Sequence, residues 1–395
     1  MNIKLTINNL DHTGNGISKI DNKVIFIPNT LPNEEVIVSI TKDKKSYYEG
    51  KVTNYIKKSP LRINPLCPYY NLCGGCQYGH INIDEEEKIK TNIVKEIISK
   101  YAHLDINPIF INSKNEYNYR NKVELKINNY KWGYYNNNSH TFVNINNCLL
   151  AKKSINNIIN NQNIFHIKNG EIIIRSNYND EIIIKINTND KYQIDLDTLT
   201  KNNKIIGLII NDKIIYGEDF YYERIGGYLF KVNINSFFQI NLNILKEIFN
   251  ILREDNYGHV VDLYCGVGTL GISIQKDKLY GIEIVHSAIK DAIKNSSLNN
   301  QNNYYLLGDS SKIKEIKDKI DTIIIDPPRS GLNKETLDNV ININPARIIY
   351  MSCNPITLAR DLYSFKDLYN VKDFYILNMF PKTKHIECLC ILNRK

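Results

Sequence analysis

The chain is 395 residues long, with 43% hydrophobic and 23% charged residues and a formal net charge of +8. That length exceeds one ordinary core and suits two or three domains of a soluble protein, while aliphatic runs no longer than residues 206–210 exclude a membrane-spanning helix. The positive balance suits a polyanionic partner, because lysines that neutralise phosphates release counterions, although a chain this rich in Asn, Ile and Lys also gains lysine from biased coding.

The 27 tyrosines add faces on which unpaired bases could stack, most of them serving packing. Residues 1–15 carry no apolar stretch or cleavage site of the kind that directs export, so a cytoplasmic location is expected. In that reducing compartment the eight cysteines are metal ligands or catalytic groups sooner than disulfides.

Residues 1–58 alternate apolar and polar positions in short runs, such as Ile3, Leu5 and Ile7, broken by turn signals at 12–16 and 28–29. A small OB-like β-barrel is predicted. Its length and Gly-x-Gly turn resemble the TRAM domain, an RNA-binding module of RNA-modifying enzymes; a generic small barrel fits the same residues. After a lysine-containing joint at 57–60, Cys67, Cys73 and Cys76 fall in one tight loop. A helix is predicted from about Asp84, which serves as its own cap, with Glu87 placed for a capping box and Ile89, Ile93, Val94, Ile97 and Ile98 along one face. From Phe110 to Phe230 the pattern is strand-like and isoleucine-rich, as in 171–175 and 181–186. Residues 59–230 are therefore expected to form a β-rich middle domain holding the cysteine loop, with the helix near Asp84 able to pack on the domain that follows and the asparagine cluster 136–138 as a loop.

From 231 to 395 helix and strand alternate: a helix near 242–252, then apolar strands ending at Tyr264, Glu283, Asp326 and Ser352. This predicts a parallel, doubly wound sheet, in which ligands bind at the carboxyl ends of the strands. The first of these strands runs into a full GxGxxG at 266–271, and Glu283 closes the next strand. The glycines let backbone approach a ligand, and an acidic residue about 20 positions on accepts ribose hydroxyls. Both NAD and S-adenosylmethionine present that ribose. A dehydrogenase would need a second mononucleotide half or a further substrate domain, and too little chain follows. Instead, DPPRSG at 326–331 resembles the Pro-Pro loop of methyltransferases acting on planar bases, its two prolines stiffening the backbone that holds Asp326.

Carbon 5 of uracil is a poor nucleophile. Its direct methylation requires a thiolate to add at carbon 6 and a base to remove the carbon 5 proton afterwards. SCNP at 352–355 offers Cys353 at a predicted strand end, and PKTKHIEC at 381–388 offers Glu387. In this order DLYCGVGTLG, DPPRSG, SCNP and PKTKHIEC resemble the RNA 5-methyluridine methyltransferase family, in particular its ribosomal RNA branch, over nearly the whole chain.

The resemblance implies an α/β, Rossmann-like S-adenosylmethionine methyltransferase domain over 231–395, with Cys353 as nucleophile and Glu387 as base. It places Gln239, Tyr264, Thr269, Glu283, Asp309 and Asp326 at the cofactor site. Tyr264 and Thr269 stand where some relatives have Phe and Asn, and Asp309 is aligned through a variable loop. The expected substrate is RNA, 23S ribosomal RNA foremost and the T-loop uridine of transfer RNA as the alternative. The uridine would be flipped out, since carbons 5 and 6 cannot meet thiolate and methyl donor inside a stacked helix. A monomer with no membrane partner is expected. An NAD-dependent oxidoreductase and a non-catalytic RNA-binding factor are the rival readings.

Four thiolates from Cys67, Cys73, Cys76 and the distant Cys148 suit tetrahedral zinc or an iron–sulfur cluster, and spacing alone leans towards zinc. The family's [4Fe-4S] site has this spacing, the CGGCQ sequence and a distant fourth Cys, so the resemblance implies that cluster. A redox CxxC is the alternative for Cys73 and Cys76. Cys265, Cys388 and Cys390 are expected to be structural.

Overall fold

The computed structural model describes residues 2–136, 139–253, 256–275 and 277–395. The asparagine cluster expected as a loop falls partly outside them, at 137 and 138.

The alternating N-terminal runs form a six-stranded sheet in the order Asn2–Thr6, Glu35–Asp43, Tyr47–Lys57, Lys23–Ile27, Gly16–Ile20, Asn9–Leu10. Three register shifts between Glu35–Asp43 and Tyr47–Lys57 bend that pair, as bulges do, and Leu5, Ile7, Ile25, Ile27, Val36 and Val38 fill the interior. Glu34, fully buried, accepts from the Ser59 N–H at 3.1 Å and from Arg62 Nε and Nη2 at 2.7 Å each. Burial pushes its carboxyl up, but Arg62 and the backbone N–H groups outweigh burial and hold it below the usual range. The barrel is thereby fastened to the start of the cysteine loop.

A second sheet of seven strands runs Phe142–Asn144, Lys131–Tyr135, Lys122–Asn128, Asn169–Ser176, Ile182–Asn187, Ile205–Ile210, Lys213–Gly217. The helices Lys153–Asn160 and Leu196–Asn202 accompany it, with Trp132 and Phe165 in contact within its core.

The third sheet has eight strands in the order Tyr304–Leu307, Leu279–Glu283, Val260–Leu263, Thr322–Ile325, Arg347–Ser352, Glu387–Arg394, Tyr369–Leu377, Ile109–Ile111. The first five are parallel; Glu387–Arg394 runs against Arg347–Ser352. Val261, Ile323, Ile325, Ile348 and Tyr350 enter one core, and Val260, Ile324, Ile349 and Met351 the other. Strands covered on both faces read as continuous apolar runs for this reason. No helix among the described residues is long and apolar enough to cross a membrane.

Two expectations need correction. The helix spans Ile83–Ala102 and its cap is Asn82, whose side chain accepts from the Glu85 N–H at 2.8 Å. Asp84 lies inside the first turn, where its charge favours the helix dipole, and Glu87 instead accepts from Asn112 Nδ2 at 2.7 Å. Nor are residues 59–230 one block in space. The Ile83–Ala102 helix packs on Pro355–Phe365, which agrees with the expected docking on the last domain, but Ile109–Ile111 also leaves the middle domain and extends the third sheet. The hairpin Phe220–Ile225/Tyr228–Asn233 straddles the expected boundary and buries Tyr221, Phe230 and Val232 in one core with residues of the helix Leu242–Leu252. An apolar stripe shows that a face is buried but not against what.

Candidate active site

The carboxyl ends of the parallel strands gather the unusual residues on one rim. After Val260–Leu263 the chain turns at Tyr264, which takes a left-handed φ of 63°, rare for an aromatic residue and found where a site fixes the backbone. The turn continues through Gly268, at φ 83°, into the helix Thr269–Ile274. A Cβ on Gly271 would stand 2.8 Å from Asp262 Oδ2, so only glycine lets this helix sit on the strand. The Gly271 N–H donates to Asp262 at 3.0 Å. Burial, then repulsion from Asp326 and Glu283 against that hydrogen bond, pushes Asp262 up to about 8.

Glu283 is anchored over the turn: Gly266 N–H donates to Oε2 at 3.0 Å and Val285 N–H to Oε1 at 2.9 Å. A carboxylate has about four acceptor positions, so it retains capacity for ribose hydroxyls. Beside it Ile284 is 70% exposed, an apolar face next to a polar anchor. Tyr264 OH donates to Ser310 Oγ at 3.2 Å. The preceding Asp309 is exposed and accepts from the Ser311 N–H at 2.8 Å, bonds that hold its carboxyl below the usual range. Thr269 opens the short helix, half-buried. Gln239 is fixed by its carbonyl, which accepts from Asn121 Nδ2 at 3.1 Å.

Asp326 follows the strand Thr322–Ile325, and burial pushes it up to about 7. Cys353 follows Arg347–Ser352. Because Ser352 pairs with Cys388 in the antiparallel register, Glu387 at the head of its strand comes beside Cys353. Glu387 is 4% exposed; burial and then the Asp326 charge push it well above the carboxylate range, with Arg329 opposing. Cys353 is half-buried and raised by burial, then by Glu387 and Asp326, while Arg329 favours its thiolate through charge and a hydrogen bond. Thiol, carboxylates and guanidinium are thus within electrostatic reach of one another. A thiol and a buried carboxyl side by side at this rim can act as nucleophile and proton acceptor on one planar ligand.

The segment before Glu387 is held from beneath. Glu86 accepts from the Lys382 N–H at 2.9 Å and from Lys90 Nζ at 2.7 Å, and Lys90 also donates to Asn378 Oδ1 at 2.9 Å. Burial pushes Lys90 down, with Glu86 opposing.

Cys67, Cys73, Cys76 and Cys148 line one cavity of about 80 Å³, with Arg120 and Lys382 also on its wall. Among the described residues no group of three or more His, Cys, Asp or Glu side chains is placed to hold a metal ion. Cys265, Cys388 and Cys390 are buried.

Sequence reasoning singled out Cys353, Glu387, Asp326 and the glycine turn, and the strand register brings them to one rim. It assigned nothing to Asp262, Ile284, Arg329 or Arg120. Ile284 carried a signal, an apolar residue just past the acidic strand end, and Arg329 lay within a quoted motif; Arg120 carried none.

Residues 83–395 match the family model described as tRNA (uracil-5-)-methyltransferase, and residues 2–53 match the TRAM domain. An uncharacterized RNA methyltransferase of Aquifex aeolicus is 32% identical, the match covering 100% of this chain and 99% of that protein. One from Bacillus cereus is 30% identical over 99% of this chain and 96% of its own length. Among solved structures, the Pyrococcus abyssi tRNA (uracil-54, C5)-methyltransferase, in complex with S-adenosyl-L-homocysteine, shares the fold. Its TM-score is 0.79 and its identity 23%, over 99% of this chain and 100% of that one.

Proposed function

This chain belongs to the tRNA (uracil-5-)-methyltransferase family, and from that premise we propose that it methylates carbon 5 of a uridine in RNA, 23S ribosomal RNA foremost. Cys353 is the nucleophile and Glu387 the base. The observation that carries this reading is the Ser352–Cys388 register, which sets Glu387 beside Cys353 at the rim that also bears Asp326 and the glycine turn.

S-adenosylmethionine, when bound, supplies an electrophilic methyl group. Glu283, anchored on two N–H groups, suits its ribose; Gln239, Tyr264, Thr269, Asp309 and Asp326 complete the set of residues assigned to hold it. Cys353 adds through sulfur to carbon 6, and the carbon 5–carbon 6 electron pair moves towards carbon 5 and the neighbouring carbonyl. After carbon 5 has gained the methyl group, Glu387 takes its proton. The double bond re-forms as the carbon–sulfur bond breaks and Cys353 leaves. Arg329 assists by favouring the thiolate, and the dry setting of Glu387 makes it a stronger base than an exposed carboxylate.

The four thiols are assigned to a [4Fe-4S] cluster. What supports this is their place on the wall of one cavity, together with the spacing and the CGGCQ sequence that resemble the family's site. A lone zinc needs its sulfurs about 2.3 Å from one centre, whereas a cluster spreads its cysteines over several irons. Bound there, it would brace the cysteine loop. Anaerobically purified protein should be brown with about four irons per chain; stoichiometric zinc instead would decide for the single-ion site.

Transfer RNA is the second reading, since it is the substrate in the family's description. Mapping 5-methyluridine in all RNAs of a deletion strain separates the two. Loss from 23S RNA supports the proposal, and loss confined to the T-loop of transfer RNA overturns that part of it.

A further inference from the structure

The cavity that holds the four thiols has a cationic wall that the methylation chemistry does not use. Arg120 stands on it, lining the same cavity as Cys67, Cys73, Cys76 and Cys148. Its Nε is shut off from solvent without a hydrogen-bond partner. Its surroundings are the Tyr119 and Tyr134 phenols and the thiols, and among the described residues no carboxylate pairs with it. The other cation on the wall, Lys382, is already matched by Glu116 Oε2 at 2.5 Å.

A desolvated guanidinium without a counter-ion is costly, so a structure that keeps one gains by placing an anion opposite it. Four thiolates around an iron–sulfur core carry net negative charge, and they line the same cavity.

The backbone at Arg120 also runs between the two sites. Its N–H donates to the Leu150 carbonyl at 2.8 Å, two residues past Cys148, and it forms an antiparallel bridge with Asn241. The next residue, Asn121, donates its N–H to the Ile240 carbonyl at 3.1 Å and its Nδ2 to the Gln239 carbonyl at 3.1 Å. A shift of Arg120 therefore reaches the Gln239 segment through the two hydrogen bonds of Asn121.

We propose that Arg120 is the counter-cation of the cluster held by the four thiols, and a positioning residue that links the occupancy of that cavity to the Gln239 segment of the cofactor site. The inference rests on the cluster reading above, and deepens it by naming what balances the cluster's charge and where its presence is felt. Outer-shell partners of metal ligands commonly change metal retention by about 10- to 100-fold when removed. Loss of a nearby positive charge also makes an added electron less favourable, which lowers a cluster's midpoint potential.

The test uses anaerobically purified full-length protein as wild type, Arg120→Gln and Arg120→Lys. It reads iron loss to a chelator, the midpoint potential of the cluster, and amide exchange over residues 237–241. The Gln variant should lose iron at least about tenfold faster and show a lower potential. Exchange over 237–241 should quicken in that variant and in iron-stripped wild type, and the Lys variant should restore most of each property. Wild type that holds no iron overturns the cluster reading, and this inference with it. Iron-loaded wild type beside a Gln variant with unchanged retention, potential and exchange overturns this inference alone, as does a Lys variant that fails to the same degree as Gln.

Discussion

At the rim of the third sheet, two groups that must act without their protons are both pushed towards keeping them. Burial raises Cys353 and Glu387; Glu387 adds to the shift of Cys353, and Asp326 adds to both. The nucleophile works as thiolate and the base as carboxylate, so raised values mean that each becomes competent only as pH rises. The single-turnover rate should therefore climb between about pH 7 and about pH 9, by up to about tenfold per unit, with no falling limb in that range. Rapid-quench measurements across the range check this, and a rate that falls over it would exclude a raised thiol as nucleophile. Arg329 opposes the shift of Cys353, so Arg329→Gln should move the rising limb to higher pH while Arg329→Lys moves it less. The identities of Cys353 and Glu387 were legible in two short motifs. Their adjacency was not, because it depends on one antiparallel pairing between strands separated in sequence by a helix and another strand.

Among the elements, the helix Ile83–Ala102 does more than cover the sheet. Its Glu86 and Lys90, 0% and 1% exposed at their side chains, fix the chain at Asn378, Phe380 and Lys382 just before Glu387. Removing one partner of a buried pair leaves the other uncompensated, at a cost of about 3–5 kcal/mol. Lys90→Met should lower stability by about that amount in urea titrations, and the double variant Glu86→Gln with Lys90→Met by clearly less. An equal loss in both would mean that packing, not charge, dominates. The apolar stripe of this helix could be read from Ile89, Ile93, Val94 and Ile98, all buried. Its cap could not be assigned with the same security, since Asn82 and Asp84 are both good caps followed by acids and only the hydrogen bond to Glu85 distinguishes them. The strand Ile109–Ile111 is three residues long, too short for a period to emerge.

Across the whole molecule, the barrel is anchored where chemistry is prepared. Glu34 and Arg62 tie it to the cysteine loop. Tyr78, packed so closely on Gly14 that a Cβ there would stand 2.6 Å from its ring, donates its N–H to the Lys382 carbonyl at 3.0 Å. The barrel, the cysteine loop and the segment leading to Glu387 therefore meet. The tip between the two long barrel strands carries exposed Lys44 and Lys45. Replacing both with Ala should reduce the slope of log affinity for RNA against log salt by about one per lysine, with turnover on saturating RNA retained; an unchanged slope would place the RNA elsewhere. Two of the three sheets could be anticipated from alternation and from βα order. Their mutual arrangement could not, since contacts such as Tyr78 on Gly14 join residues that carry no shared pattern.

The order of steps gives the most direct test of the central claim. Addition by Cys353 and methyl transfer precede proton removal by Glu387, so disabling the base should stop the reaction after the carbon–sulfur bond has formed. Full-length Glu387→Gln, incubated with S-adenosylmethionine and substrate RNA, should accumulate a protein–RNA adduct that survives denaturing electrophoresis and contains the transferred methyl group. The double variant Cys353→Ser with Glu387→Gln should form none. Wild-type turnover by Glu387→Gln, or an adduct that persists without the Cys353 thiol, would contradict the assignment of nucleophile and base.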